Sequence, residues 1–193
     1  YGKKNNGGRI MTDTAIFLAD GFEEIEGLMV VDLLRRVGIK VDMVSISDSL
    51  TVTGSHNIAV TADKLLKDID FDAYELLVLP GGMPGTTRLG VCDELCNEVV
   101  RACESGKKIA AICAAPTVFG KLGLLKGKKA CCYPDMEEGL LGAKVSFEDV
   151  TVDGNITTSR GLGTALPFAL TLIEQLLDKA TADDLAKKVV YTK

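Results

Sequence analysis

Hydrophobic positions alternate between compact apolar runs and longer stretches with helical spacing. The first run, Thr14–Leu18, reads as a buried strand that closes on a turn at Asp20 and Gly21. A helical pattern follows over Glu24–Arg36 and stops at Gly38, a residue suited to the end of a helix. The next strand is expected over 41–46. Residues 50–61 alternate around Gly54 and predict an antiparallel excursion or hairpin. Leu76–Leu79 is a buried strand running into Pro80-Gly81-Gly82; a helix over 93–105 ends at Gly106, and 109–112 forms another buried strand. In the second half, 129–132 reads as a strand and 150–158 as a hairpin turning at Asp153-Gly154. An amphipathic helix is expected over 164–177, and a short charged helix from about Ala182 closes the pattern. Strands alternating with helices predict an α/β fold, a mostly parallel sheet with helices on both faces and a small β-hairpin excursion. Such sheets bind ligands at the carboxyl ends of their strands. Two strand ends stand out, at Gly81-Gly82 and at Cys113, and both fall on the same rim.

Length and charge narrow the class. A chain of 193 residues suits one domain with a sizeable core, and 47% hydrophobic with 25% charged residues is ordinary for a globular protein. A net charge of −5, with no basic cluster and few aromatics, argues against nucleic acid or a membrane surface as partner. No apolar run approaches the ~20 residues of a membrane span. Residues 1–10 are polar, precede Met11 and lack the apolar stretch of a signal peptide. The expectation is a disordered extension or cloning remnant over 1–11, one domain over 12–193, and a cytoplasmic location. Six cysteines are then reduced thiols. Cys92, Cys96 and Cys103 share a helix face and read as core packing, while Cys131 and Cys132 point to opposite sides of a strand. With no Cys-x-x-Cys and one histidine, His56, neither a zinc site nor another cofactor is expected.

The chemistry concentrates in Ala110-Ala111-Ile112-Cys113-Ala114-Ala115-Pro116-Thr117. An apolar strand runs straight into Cys113, and the residues two before and two after it, Ala111 and Ala115, are small. A sharp strand-to-helix turn needs that, because bulkier side chains collide where the backbone doubles back. Such an elbow holds its nucleophile in a strained conformation at the sheet rim. Pro116 suits the first helical turn, and the helix N-terminus is expected to favour thiolate over thiol. Glycines in Pro80-Gly81-Gly82 let backbone amides approach a ligand or an oxyanion, or else make a tight turn only. Glu23, Glu24 and Glu26 open the first long helix, where acidic residues complement the helix dipole. One of them is expected to face Cys113, and the spacing does not single it out. Arg160, in Thr158-Ser159-Arg160-Gly161, suits an anion, a carboxylate across an interface, or an ordinary ion pair. His56 has no acidic neighbour in sequence and reads as a surface residue. Consecutive Leu28, Met29, Val30 and Val31 exceed what one core-facing stripe requires and predict a homodimer through this helix.

Together these segments resemble the DJ-1/PfpI superfamily, particularly its DJ-1/ThiJ branch. The resemblance rests on Glu23-Glu24-Ile25-Glu26, Leu33-Leu34-Arg35-Arg36-Val37-Gly38-Ile39-Lys40-Val41, Leu79-Pro80-Gly81-Gly82, the Cys113 segment and Thr158-Ser159-Arg160-Gly161. It implies a flavodoxin-like fold and a homodimer, with Cys113 as reactive cysteine and Glu26 as its partner. It also implies that backbone amides at Gly82 and Ala114 face the sulfur and the substrate oxygen. Two departures stand beside it. Proteases of the PfpI kind carry histidine directly after the cysteine, where this chain has Ala114; the DJ-1 branch carries a nearby histidine where this chain has Tyr133. A cysteine protease therefore ranks behind a glutathione-independent glyoxalase or deglycase acting on small reactive dicarbonyls. The alternative from another class is a redox-sensing stress-response protein or chaperone that works by oxidation of Cys113.

Overall fold

In the computed structural model, which describes residues 13–192, the first apolar run is β1 (Thr14–Leu18), buried throughout. The extension expected over 1–11 lies outside the described residues. After β1 come α1 (Glu24–Arg36) and β2 (Val41–Ser45), then β3 (Thr51–Thr53) and β4 (Ala59–Thr61), which pair antiparallel as the expected hairpin excursion. Short β5 (Lys64–Leu65) rejoins the main sheet beside β2. Next are β6 (Leu76–Leu79), α2 (Gly85–Leu89), α3 (Asp93–Glu104), β7 (Lys108–Ile112) and α4 (Pro116–Lys121). Last come β8 (Lys129–Ala130), β9 (Lys144–Val145), β10 (Val150–Asp153), β11 (Ile156–Ser159), α5 (Ala165–Leu176) and α6 (Lys179–Lys188).

The main sheet runs β10-β11-β7-β6-β1-β2-β5, parallel at every pairing except the β10–β11 hairpin. The chain builds outward from β1 through β2 to β5, then returns to lay β6 on the opposite side of β1. That reversal leaves a crevice at the carboxyl ends of β1 and β6, the place where sheets of this kind hold ligands. Side chains alternate across the sheet. Ile16, Leu18, Leu76, Val78, Ala110 and Ile112 meet α1, α5 and α6, whereas Ala15, Phe17, Leu77, Leu79, Ile109 and Ala111 meet α3 and α4. Two-sided burial explains why these strands read as unbroken apolar runs rather than as alternating ones. The cysteines divide along the same plane: Cys113 packs with the α1 and α5 layer, and Cys92, Cys96, Cys103 and Cys132 with the α3 and α4 layer.

Two expectations need correction. The strand expected over 129–132 stops at Ala130 and pairs with β9 in a separate two-stranded sheet. Its continuation is diverted because the Cys131 N–H donates to the Thr158 hydroxyl at 3.0 Å instead of entering a ladder. The last helix begins three residues before Ala182, because Asp178 caps it by accepting the Thr181 N–H at 2.7 Å. Finally, β5 and α2 were not legible as elements; both are shorter than their periodicity needs.

Candidate active site

The site begins with the entry into α1. Glu23 is the N-cap and its own N–H donates to the Gly81 carbonyl at 2.8 Å, which pins the helix start to the loop leaving β6. Glu26 then falls on the inner side of the first turn, 1% exposed, and its Oε2 accepts the Gly81 N–H at 3.0 Å. Gly81 can be nothing larger: a Cβ there would stand 2.5 Å from the Cys113 Cβ and press against Glu26 Oε2. Gly82 follows with φ 90, a left-handed conformation that aims its amide at the Cys113 sulfur.

Cys113 has φ 64, a left-handed conformation that non-glycine residues rarely adopt, and it confirms the elbow geometry read from the sequence. The strain is held from both flanks. The Cys113 N–H donates to the Ser159 carbonyl at 3.0 Å, and its carbonyl accepts the Tyr133 N–H at 2.8 Å. Ala114 and Ala115 are buried where the backbone doubles back, so their small size is a packing requirement. The Glu26 carboxyl lies within hydrogen-bonding reach of the half-buried sulfur, and the amides of Gly82 and Ala114 point at it as well. The Gly81 amide, grouped with those two in the sequence reading, is instead committed to Glu26.

Electrostatics here run against the expected thiolate. Burial, and then the charge and hydrogen bond of Glu26, push the Cys113 thiol up to about 12; the Gly82 and Ala114 amides pull the other way and lose. Burial likewise raises Glu26 to about 7, with the Glu23 charge adding to it, while contact with Cys113 and the Gly81 amide oppose the rise. The two directions concern one coupled pair that cannot carry two negative charges side by side. Below about 7 both groups are protonated, and above it the pair keeps one proton, on the sulfur.

Of the other predicted residues, Tyr133 is 51% exposed and its ring packs over Gly161, on the Glu26 side of the site. Arg160 is half-buried, its Nε has no protein partner, and its charge falls on Cys132. His56 is exposed as expected, yet it does have acidic partners, Glu24 at 3.1 Å and Glu23 at 3.3 Å. Glu24 lies 32 positions away, so neighbourhood in sequence could not reveal the pair. Burial works to raise the Glu24 pKa, but hydrogen bonds from backbone N–H groups and the His56 ring outweigh it and hold the group below its ordinary value.

A strained cysteine at a strand–helix elbow, facing a buried glutamate at the switch point of a parallel sheet, defines a class of α/β proteins built around one cysteine–glutamate pair. Within that class the chain belongs to the DJ-1/PfpI family, whose model matches residues 13–175. "Protein DJ-1 homolog B" of Arabidopsis thaliana is 42% identical over 90% of this chain; the chain spans only 40% of that relative's length. A Caenorhabditis elegans protein named "Glutathione-independent glyoxalase DJR-1.2" is 32% identical over 89% of this chain and 91% of its own. The solved structure "Toxoplasma gondii DJ-1, oxidized" superposes with a TM-score of 0.91 at 36% identity, covering 94% of this chain and all of the other. The family and the flavodoxin-like architecture expected from the sequence are both borne out.

Proposed function

We propose that this protein is a cysteine-dependent enzyme acting on small reactive dicarbonyls, of the glutathione-independent glyoxalase or deglycase type, working as a cytoplasmic homodimer. The observation that carries the reading is the buried Glu26 carboxyl held beside the Cys113 sulfur by the Gly81 amide. The name of the C. elegans relative supports the same chemistry. No helix among the described residues is long and apolar enough to cross a membrane. Ile25 is exposed on α1 beside half-buried Leu28 and Met29, an i, i+3, i+4 face for a second copy.

Glu26 takes the proton of the Cys113 thiol, and the thiolate attacks the aldehyde carbon of methylglyoxal. The Gly82 and Ala114 amides hold the resulting oxyanion until Glu26 returns the proton, giving a hemithioacetal. Glu26, again a carboxylate, removes the hydrogen from that carbon and delivers it to the neighbouring carbon through an enediol. The product is a thioester of lactate, which water hydrolyses to lactate and free thiol. A carboxyl near 7 suits an acid and base that must give and take protons at neutral pH.

Lactate formation from methylglyoxal tests the reading. Wild type is expected to form it, Cys113→Ser to form none, and Cys92→Ser, Cys96→Ser and Cys103→Ser to retain it. Its absence from wild type overturns the proposal. A redox-sensing role for Cys113 is the second reading, favoured by the oxidised state named for the Toxoplasma structure. Sulfinic acid accumulating on Cys113 during peroxide titration of a wild type that makes no lactate would select it.

A further inference from the structure

The tip between β3 and β4 folds onto the start of α1 and gathers four donor atoms from two distant stretches of chain. Ser55 Oγ lies 3.3 Å from Glu23 Oε2, 3.4 Å from Glu24 Oε2 and 3.1 Å from His56 Nδ1. His56 Nδ1 lies 3.3 Å from Glu23 Oε2 and 3.1 Å from Glu24 Oε2. Five of the six separations among these atoms thus fall between 3.1 and 3.4 Å. Ligands held tetrahedrally at about 2.0 Å from zinc stand about 3.3 Å apart, the spacing of these five pairs, and the Glu23, Glu24 and His56 donor atoms all lie within 4.8 Å of one another.

At most two hydrogens serve these five contacts, one from the serine hydroxyl and one from the imidazole Nδ1, so the hydrogen bonds among them are shared, three-centre bonds. A cation at the centre takes each of these lone pairs directly. The remaining carboxylate oxygens are occupied elsewhere. Glu24 Oε1 accepts the N–H groups of His56 at 2.8 Å and Ile58 at 3.4 Å, and Glu23 Oε1 accepts that of Ile25 at 3.4 Å. Backbone groups therefore fix each carboxylate and turn its Oε2 to the common centre, the outer support that ligating carboxylates have in metal sites. The Glu24 side chain is 3% exposed whereas that of His56 is 68% exposed, which leaves a path of entry.

We propose that Glu23, Glu24 and His56 form a site for a divalent first-row cation, best matched by zinc, with Ser55 or a water molecule at the fourth position. Counting cysteines and histidines in the sequence missed it because most of its donors are oxygen. None of its donor atoms is among those that meet the Cys113 sulfur.

Calorimetric titration of zinc chloride into the full chain carrying Cys113→Ala, which removes the thiol at the sheet rim, tests the site. One zinc per chain with a micromolar Kd is expected, weakened at least about tenfold by His56→Ala and by Glu23→Gln. Thermal melts of both variants check that they fold. Cobalt in place of zinc should show the visible bands of a tetrahedral oxygen–nitrogen site without sulfur charge transfer, and lose them in His56→Ala. No zinc binding at micromolar concentrations, undiminished binding by a folded His56→Ala chain, or a sulfur-to-cobalt band overturns the proposal.

Discussion

Replacing Glu26 with glutamine should make the protein more stable at alkaline pH while ending its turnover. The amide keeps the local geometry, since its oxygen accepts the Gly81 N–H and its nitrogen donates toward the sulfur. What it removes is a charge that burial penalises. Glu26 rises from 4.5 to about 7 in the folded protein, so its proton is bound more tightly there than in the unfolded chain. Stability from this group is complete below 4.5, declines as the unfolded chain releases the proton first, and is gone above about 7. Ionised Glu26 then costs the fold about 3 kcal/mol, an order-of-magnitude figure for a group this buried. Glutamine bears no such cost at any pH. Urea unfolding of both proteins in reductant should show nearly equal stabilities at pH 4 and a variant more stable by about 3 kcal/mol at pH 8. Subtraction cancels the titrating groups that do not interact with Glu26. A difference that does not change with pH, or a glutamine variant less stable at pH 8, refutes the assignment of a buried raised carboxyl. Normal dicarbonyl turnover by the variant refutes the proton-shuttle role, because an amide cannot accept the proton.

Two further outcomes follow from contacts at the same end of the molecule. Gly81→Ala should lower kcat/KM at least about a hundredfold and cost about 1–3 kcal/mol, because its Cβ must displace Cys113 or Glu26; Gly163→Ala, with open space at its Cβ, is the control that should change neither. Light scattering at micromolar concentration should report a dimer for wild type and a monomer for Ile25→Asp, which charges the exposed α1 face without harming the first helical turn; a monomeric wild type refutes the interface.

Much of this was legible in the amino acids. Strands buried on both faces leave unbroken apolar runs, so β1, β6 and β7 stand out, and the small residues around Cys113 announce the elbow that its φ of 64 realises. Glu26 was reached only through family resemblance, since the dipole explains acidic residues at a helix start equally well for Glu23 and Glu24. What separates the three is long-range contact: Glu26 meets Gly81, 55 positions on, and Glu24 meets the hairpin around His56. The protonation of Cys113 was misread for a related reason. A helix N-terminus is visible in a sequence, whereas the burial and the facing carboxylate that outweigh it exist only once the sheet has assembled.

The sheet that positions Cys113 also isolates it from its own kind. Cys92, Cys96, Cys103 and Cys132 pack on the opposite side of the strands, and the Cys131 sulfur rests against the Thr158 hydroxyl with no exposure to solvent. A disulfide needs its two Cα atoms within about 7 Å and their Cβ vectors convergent, which a strand lying between two thiols forbids. An oxidised Cys113 thus finds no resolving partner across the sheet. A small-molecule or foreign protein thiol arriving at the rim is the route back that this layering leaves open, which places recovery from oxidation under the control of the surrounding redox pool.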